Sequence, residues 1–222
     1  PPYYEVFFDQ YGFTKDFDRY AFYYDLSKPV TQRFEENMDA LKKRYKFSVR
    51  KLDLKNIDEE IIGLQKLIAC SMPEEWPDMV PPSLEEIKDE ANKLLPVADE
   101  DLVLVAINSE GQHIGLAIAL PDYNQVLKRL NGRLFPIGFL KFLWYKKKIT
   151  GGRIFVLMVD PEYHKKGISG ALYLQMFKNA LQKGYIYGEG STIHEFNTKM
   201  VNDAIKAGGD LYKIYRIYRK DF

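Results

Sequence analysis

A chain of 222 residues, 46% hydrophobic and 28% charged, can bury one α/β core, or one domain plus part of a neighbour. Its 32 basic and 31 acidic residues leave a formal net charge of +1, without the clustered basic excess that a nucleic-acid surface needs. One cysteine and three histidines exclude an internal disulfide and offer no zinc-like spacing, so no metal is expected and a reducing cytoplasm is the expected compartment.

The chain opens Pro1-Pro2, with no methionine and no signal-peptide pattern, and reads as a fragment of a longer protein. Residues 3–9 read as the end of an aromatic-rich helix stopped by Gly12. Phe17 to Leu26, rich in Tyr and Phe, reads as a strand. Gln32 to Arg44 places Phe34, Met38 and Leu41 at helical spacing. Phe47 to Leu54 reads as a strand. Asp58 to Ala69 reads as a helix on Ile61, Ile62, Leu64, Leu67 and Ile68, and Cys70 beside it as a small buried thiol rather than a nucleophile.

Pro73, Trp76, Pro77, Pro81 and Pro82 mark a loop. Ser83 and Glu86 form a capping box that opens a helix to about Leu95. Leu102–Asn108 and His113–Leu120 make a hairpin around Ser109-Glu110-Gly111. Pro121 to Lys148 reads as long and irregular. Its most apolar stretch, Leu134 to Tyr145, contains Lys141 and is too short for the roughly 20 residues of a bilayer crossing. Arg153–Val159 reads as a strand, Ile168–Lys183 as a helix and Tyr185–Gly188 as a short strand. Thr192–Ala207 reads as a helix capped by Thr192 with Glu195 and ended by Gly208-Gly209. Leu211–Tyr218 is the last strand. This order favours a partly parallel, twisted sheet covered by helices.

Phe8–Tyr24 and Ile205–Tyr218 both run helix end, glycine, Tyr-rich strand. The echo divides the chain into residues 1–28, the tail of a preceding related domain, and residues 29–222, the main domain. Coincidence in a Tyr-rich chain is the plainer alternative.

The stretch from Ile154 to Leu172 holds the chemistry. A near-continuous apolar run, Ile154 to Val159, reads as a buried strand ended by Pro161. His164, Lys165, Lys166, Gly167 and Gly170 follow directly before a helix. The first turn of a helix presents unpaired N–H groups and a positive dipole end to an anion. Gly167 and Gly170 allow turn conformations and close backbone approach, and the lysines add charge. A pyrophosphate suits such a corner. A basic strand-to-helix loop with ordinary glycines is the other reading.

Val159-x-Pro161-x-Tyr163-His164-x-x-Gly167-Ile168-Ser169 resembles motif A of the GNAT superfamily of N-acetyltransferases. His164 stands where Arg or Gln is usual, and Ser169 where a small residue is usual. The resemblance runs from about Phe47 to Tyr218. It implies an α/β fold, a three-layer α-β-α arrangement whose central mixed, twisted sheet is splayed between the family's fourth and fifth strands. Coenzyme A would lie there, with backbone groups of Leu157, Met158 and Val159 on the pantetheine arm. The turn of His164, Lys165, Lys166, Gly167, Ile168, Ser169 and Gly170 would hold the pyrophosphate. Asn197 matches an asparagine that contacts the coenzyme arm, with a solvent-facing helix residue as the alternative.

The co-substrate so implied is acetyl-CoA or another acyl-CoA. The implied activity is N-acyl transfer to a primary amine of a small molecule, amino acid or peptide, by direct attack in a ternary complex. Glu189 sits where some relatives place a general base, with a capping or surface carboxylate as the alternative. The family's tyrosine acid is replaced by Ala204, leaving Tyr212 or a water. The acceptor site would be walled by Ser71–Pro82 and by Pro121–Lys148. The second segment, with Phe135, Phe139, Phe142, Leu143, Trp144 and Tyr145, reads either as a lid or as packing for a preceding half. Lys146-Lys147-Lys148 reads as a solvated end.

The whole chain also resembles the C-terminal half of a bacterial family of two-part GNAT-like proteins, through Asn131-Gly132-Arg133-Leu134-Phe135-Pro136 and Tyr212 to Tyr218. Two alternatives follow: a catalytically weak or inactive coenzyme A-binding module, and an aminoacyl or long-chain acyl transferase built from two halves. Expected partners are the amine acceptor and, as an option, a second copy in a homodimer, with no nucleic acid and no membrane span.

Overall fold

The computed structural model describes residues 3–28, 30–72, 80–133 and 135–221. In chain order its elements are α1 (Tyr3–Gln10), β1 (Thr14–Asp25), α2 (Gln32–Tyr45), β2 (Phe47–Lys51), α3 (Ile57–Ser71), α4 (Leu84–Leu94), β3 (Val103–Asn108) and β4 (His113–Pro121). Then come α5 (Asn124–Leu130), α6 (Gly138–Lys146), β5 (Gly151–Val159), α7 (Ile168–Gln182), β6 (Tyr187–His194), α8 (Thr198–Lys206) and β7 (Asp210–Arg219). The loop expected around Pro73, Trp76 and Pro77 lies outside the described residues.

The chain divides into two compact units, residues 25–188 and residues 1–24 with 189–222. In the first, β2, β3, β4 and β5 form an antiparallel sheet in that order. Successive side chains on a strand point to opposite faces. On one face Val105 and Leu116 pair across β3 and β4 and pack with Leu64 and Leu67 of α3. On the other, Ala106 pairs with Gly115, and a Cβ on Gly115 would lie 2.8 Å from Ile168 Cγ2 and 3.1 Å from Leu172 Cδ1 of α7. The result is three layers, α3 with α4, sheet, and α7 with α2. Each fully buried Leu or Ile stabilises this arrangement by about 1.5–3 kcal/mol. Because both faces are covered, β3 and β4 read as apolar runs rather than alternating ones.

Local chemistry sets the ends. Ser83 Oγ accepts the Glu86 N–H, and Glu86 accepts the Ser83 N–H at 2.7 Å, so the expected capping box opens α4. Thr31 caps α2 by accepting the Phe34 N–H. The hairpin turn closes with Gly111 at φ +79°.

A buried polar group stands among these layers. Glu60 of α3 accepts Arg50 Nη1 at 2.7 Å and His113 Nε2 at 2.7 Å, and the His113 ring lies against the bare face of Gly63. Burial pushes the Glu60 carboxyl upward, but its bonds to Arg50 and His113 outweigh that and hold it below the ordinary carboxylate range.

In the second unit β1 lies between β6 and β7 and pairs antiparallel with β7. Phe22, Tyr24 and Ala204 of α8 are buried there. The Asp18 carboxylate takes two bonds from Arg216 of β7, at 3.0 and 3.2 Å.

Four expectations change. Residues 121–148 are not irregular but form α5 and α6, because Val126 and Leu130 bury one face of α5 and α6 packs on it. The strand expected at Tyr185–Gly188 continues to His194, and the following helix starts at Thr198 rather than Thr192. Glu195 therefore caps nothing: it accepts the Asp18 N–H at 2.8 Å and Lys15 Nζ at 3.0 Å. Cys70 is exposed, not buried, because it falls on the outer face of α3.

Candidate active site

β5 brings Leu157, Met158 and Val159 opposite Ala117, Leu116 and Gly115 of β4, and all three are half-buried. The strand ends at Asp160, whose N–H bonds to the Ile114 carbonyl at 3.1 Å. The Asp160 carboxylate then accepts the Glu162 N–H at 2.9 Å and starts a 3-10 turn, Pro161–Tyr163. His164 Nε2 lies 3.2 Å from the Val159 carbonyl, so a proton there ties the turn back to the strand. Lys165 and Gly167 take positive φ, +63° and +85°, and α7 begins at Ile168.

This turn aims the opening of α7. The amides of Ile168, Ser169 and Gly170 stand in the first helical turn, where helix geometry supplies no acceptor within the helix. The positive end of the helix macrodipole lies with them. Lys165 is exposed, and Gly167, Ser169 and Gly170 are each partly accessible. Lys166 sits with its ammonium 4.3 Å from the Tyr163 ring centroid, and the Tyr163 hydroxyl accepts the Asn108 amide N–H at 3.0 Å. That link through Tyr163 was not legible in the spacing, because Asn108 comes from β3.

The two glycines differ. Gly167 needs the left-handed conformation that disfavours a side chain, and a Cβ there would stand 2.5 Å from Leu41 Cδ1. A Cβ on Gly170 would stand 2.9 Å from Met38 Sδ. Both residues therefore let α2 lie close against α7, beyond any approach of a ligand. Helix-end amides point along the axis, whereas α2 covers the side of the helix.

Partial desolvation pushes the thiol of the exposed Cys70 up, and the nearby Asp160 and Glu162 carboxylates push the same way, which disfavours the reactive thiolate. Among the described residues no group of three His, Cys, Asp or Glu could hold a metal ion.

The same unit shows a concavity of about 410 Å³ between α3 and the start of α4, lined by Gln65, Lys66, Ala69, Val80, Pro82 and Glu86. A second, of about 330 Å³, is edged by Lys183, which bonds Asp99 at 2.5 Å and Asp101 at 2.6 Å. Burial and the neighbouring Asp99 push the Tyr185 hydroxyl there up to about 12.

The remaining expected residues belong to the other unit. Glu189 is the third residue of β6 rather than its end. It accepts the Ser191 hydroxyl at 2.5 Å and Lys213 Nζ at 3.3 Å, and Lys213 also donates to the Tyr212 hydroxyl at 2.8 Å. Asn197 caps α8 by accepting the Met200 N–H at 3.0 Å. Ala204 is fully buried in α8.

A β-strand, a basic turn and a helix that opens on it, set in three layers, define a class. No family model matches the chain. Among solved structures, a GCN5-related N-acetyltransferase from Sphaerobacter thermophilus superposes with a TM-score of 0.65 at 15% identity, over 99% of this chain and 56% of that one. A tandem GNAT protein from the clavulanic acid biosynthesis pathway gives 0.60 at 11% identity, over 98% and 58%. A phosphinothricin acetyltransferase from Sinorhizobium meliloti, in complex with acetyl-CoA, gives 0.52 at 15% identity, over 76% and 77%. The chain therefore shares the fold of these GNAT structures. Two curated relatives are nearer in sequence. One is a bacterial ceramide synthase of Caulobacter vibrioides, 29% identical over 178 residues, which are 78% of this chain and 46% of that protein. The other is protein YghO of Escherichia coli, 26% identical over 227 residues, 99% and 57%. The chain spans about half the length of these relatives.

Proposed function

We propose that the chain is the coenzyme A-binding module of an N-acyltransferase that moves an acyl group from acetyl-CoA or another acyl-CoA to a primary amine. The observation that carries this reading is the turn from His164 to Gly170, which sets a basic, partly accessible helix opening directly after the strand end Leu157–Val159. A diphosphate meets amides and Lys165 there. The pantetheine arm extends along β5 and pairs with its backbone. A strand amide polarises the thioester carbonyl and stabilises the developing oxyanion.

The amine nitrogen forms the new C–N bond as the C–S bond breaks. Glu189 takes the amine's proton, and Tyr212 or a water protonates the thiolate. Asn197 contacts the arm from the start of α8. Residues 1–28 are the end of a preceding GNAT-like half, residues 29–222 the transferring domain, and the compartment is the cytoplasm.

Long-chain acyl transfer is favoured as the second reading by the relative named a ceramide synthase, a name that denotes a lipid amide. The deciding experiment titrates the chain with coenzyme A, then assays acetyl-CoA and a long-chain acyl-CoA against a panel of short and long-chain amines. Binding must raise the melting temperature by mass action. Free thiol released only with an amine present supports transfer. Binding without turnover supports an inactive module, and absence of heat and of any melting shift ends the coenzyme A reading.

A further inference from the structure

No helix among the described residues is long and apolar enough to cross a membrane. One segment nonetheless has the surface of something that lies on one. Among residues 124–148 there are seven lysines and arginines and no aspartate or glutamate. The whole chain is only +1, so the rest of it is net negative and the positive charge is gathered here.

The same segment exposes its apolar side chains. Phe135 is 80% exposed, Leu140 66% and Trp144 55%, with Ile137, Phe139 and Leu143 also exposed. The other side of α6 is accounted for. Phe142 stacks on Tyr123 at 5.9 Å, Arg129 lies over the Tyr145 ring at 4.8 Å, and Gly138 abuts the Arg133 carbonyl. The outward side chains are therefore not a core turned inside out. They are a second, separate apolar face, and Arg133, Lys141, Lys147 and Lys148 are exposed around it.

Contiguous exposed apolar side chains signal an interaction surface. Aromatic and leucine side chains ringed by lysines match a membrane interface, where apolar groups enter the headgroup boundary and long basic side chains reach the phosphates. A protein partner of matching shape would need an acidic rim around an apolar centre. An anionic bilayer offers both chemistries continuously, and the total absence of acidic residues in this segment suits it.

We propose that the α5–α6 segment docks on the surface of an anionic lipid bilayer, with Leu140, Leu143 and Trp144 entering the headgroup boundary. The docking needs no acyl-CoA, so it stands or falls apart from the transferase reading.

The test is co-sedimentation of the chain, without coenzyme A, with vesicles of phosphatidylcholine alone and of phosphatidylcholine mixed with phosphatidylglycerol. Two variants accompany it, L140E/W144E and K147A/K148A, both at exposed positions and checked for an unchanged melting temperature. The expected result is binding to the anionic vesicles at least about ten-fold tighter than to the neutral ones, weakened by salt. Each variant should lose about ten-fold or more, since each basic side chain near such a surface contributes about five-fold. Three results overturn the proposal: no binding to anionic vesicles, binding that both variants retain, or a patch that instead holds two copies together, seen as a dimer that L140E/W144E dissociates while vesicles capture nothing.

Discussion

Gly170 of α7 faces Met38 of α2, and a Cβ on the glycine would stand 2.9 Å from the methionine sulfur. The contact joins the helix that opens on the candidate diphosphate site to a helix more than a hundred residues earlier. Gly170→Ala should cost about 1–3 kcal/mol by overpacking. In the Met38→Ala background the new methyl has room, so the cost should shrink, with a coupling of about 0.5–3 kcal/mol. Urea unfolding of the four proteins measures it. Additive losses would mean that α2 does not hold this corner.

Gly167 bears a different constraint. Its φ of +85° and the 2.5 Å approach to Leu41 act together. Gly167→Ala should destabilise by about 2 kcal/mol or more, since left-handed backbone and overpacking each cost about 1–3 kcal/mol. Truncating Leu41 should recover only part of that loss, because backbone strain remains. Full recovery in the double variant would show that contact alone demands the glycine.

Lys165 and Lys166 flank the helix opening, and neither is part of the core. Lys165→Ala/Lys166→Ala should leave the melting temperature unchanged and weaken coenzyme A binding about ten-fold, at roughly 1.4 kcal/mol per factor of ten. Dephospho-coenzyme A should feel the same loss, because the diphosphate is what the turn meets. Isothermal titration of both ligands decides it.

Glu60 links stability to pH. Its carboxyl lies below the ordinary value of 4.5 in the folded chain, so the unfolded chain binds its proton first as pH falls. The stabilisation is full above about 4.5 and is lost as pH drops through the lower folded value. Glu60→Gln should flatten that acid limb of the stability curve. It should also cost about 3 kcal/mol near neutral pH, because Arg50 and His113 lose their charged partner. Melting curves of both proteins between acid and neutral pH test the sign.

Glu189 is the base in the proposed transfer. Glu189→Gln should lower kcat by about 10²–10⁴ with KM for acyl-CoA nearly unchanged. An unaltered kcat would leave Glu189 as a partner of Ser191 and Lys213 only.

Much of the fold could be read from spacing. The hairpin of β3 and β4, the capped start of α4 and the run of β5 into α7 all rest on neighbours in sequence: period, caps and turn glycines. The corner from Val159 to Gly170 belongs with them, since strand end, 3-10 turn and helix start are contiguous. What failed were patterns that a distant partner overrode. Thr192 and Glu195 spell a capping box, yet Glu195 answers Asp18 and Lys15 of β1, and Asn197 caps the helix instead. Residues 124–146 looked irregular because their apolar side chains serve two faces, an inner one on Tyr123 and an outer one on solvent, which blurs the helical period.

The amino-acid sequence alone therefore determined most strands and helices and the basic turn, because each depends on short-range periodicity and backbone chemistry. Only tertiary structure decided that α2 presses on Gly167 and Gly170, that Glu60 is enclosed by Arg50 and His113, and that α6 turns an apolar face outward. Those outcomes depend on which surfaces meet, and surfaces meet through contacts that no local pattern encodes.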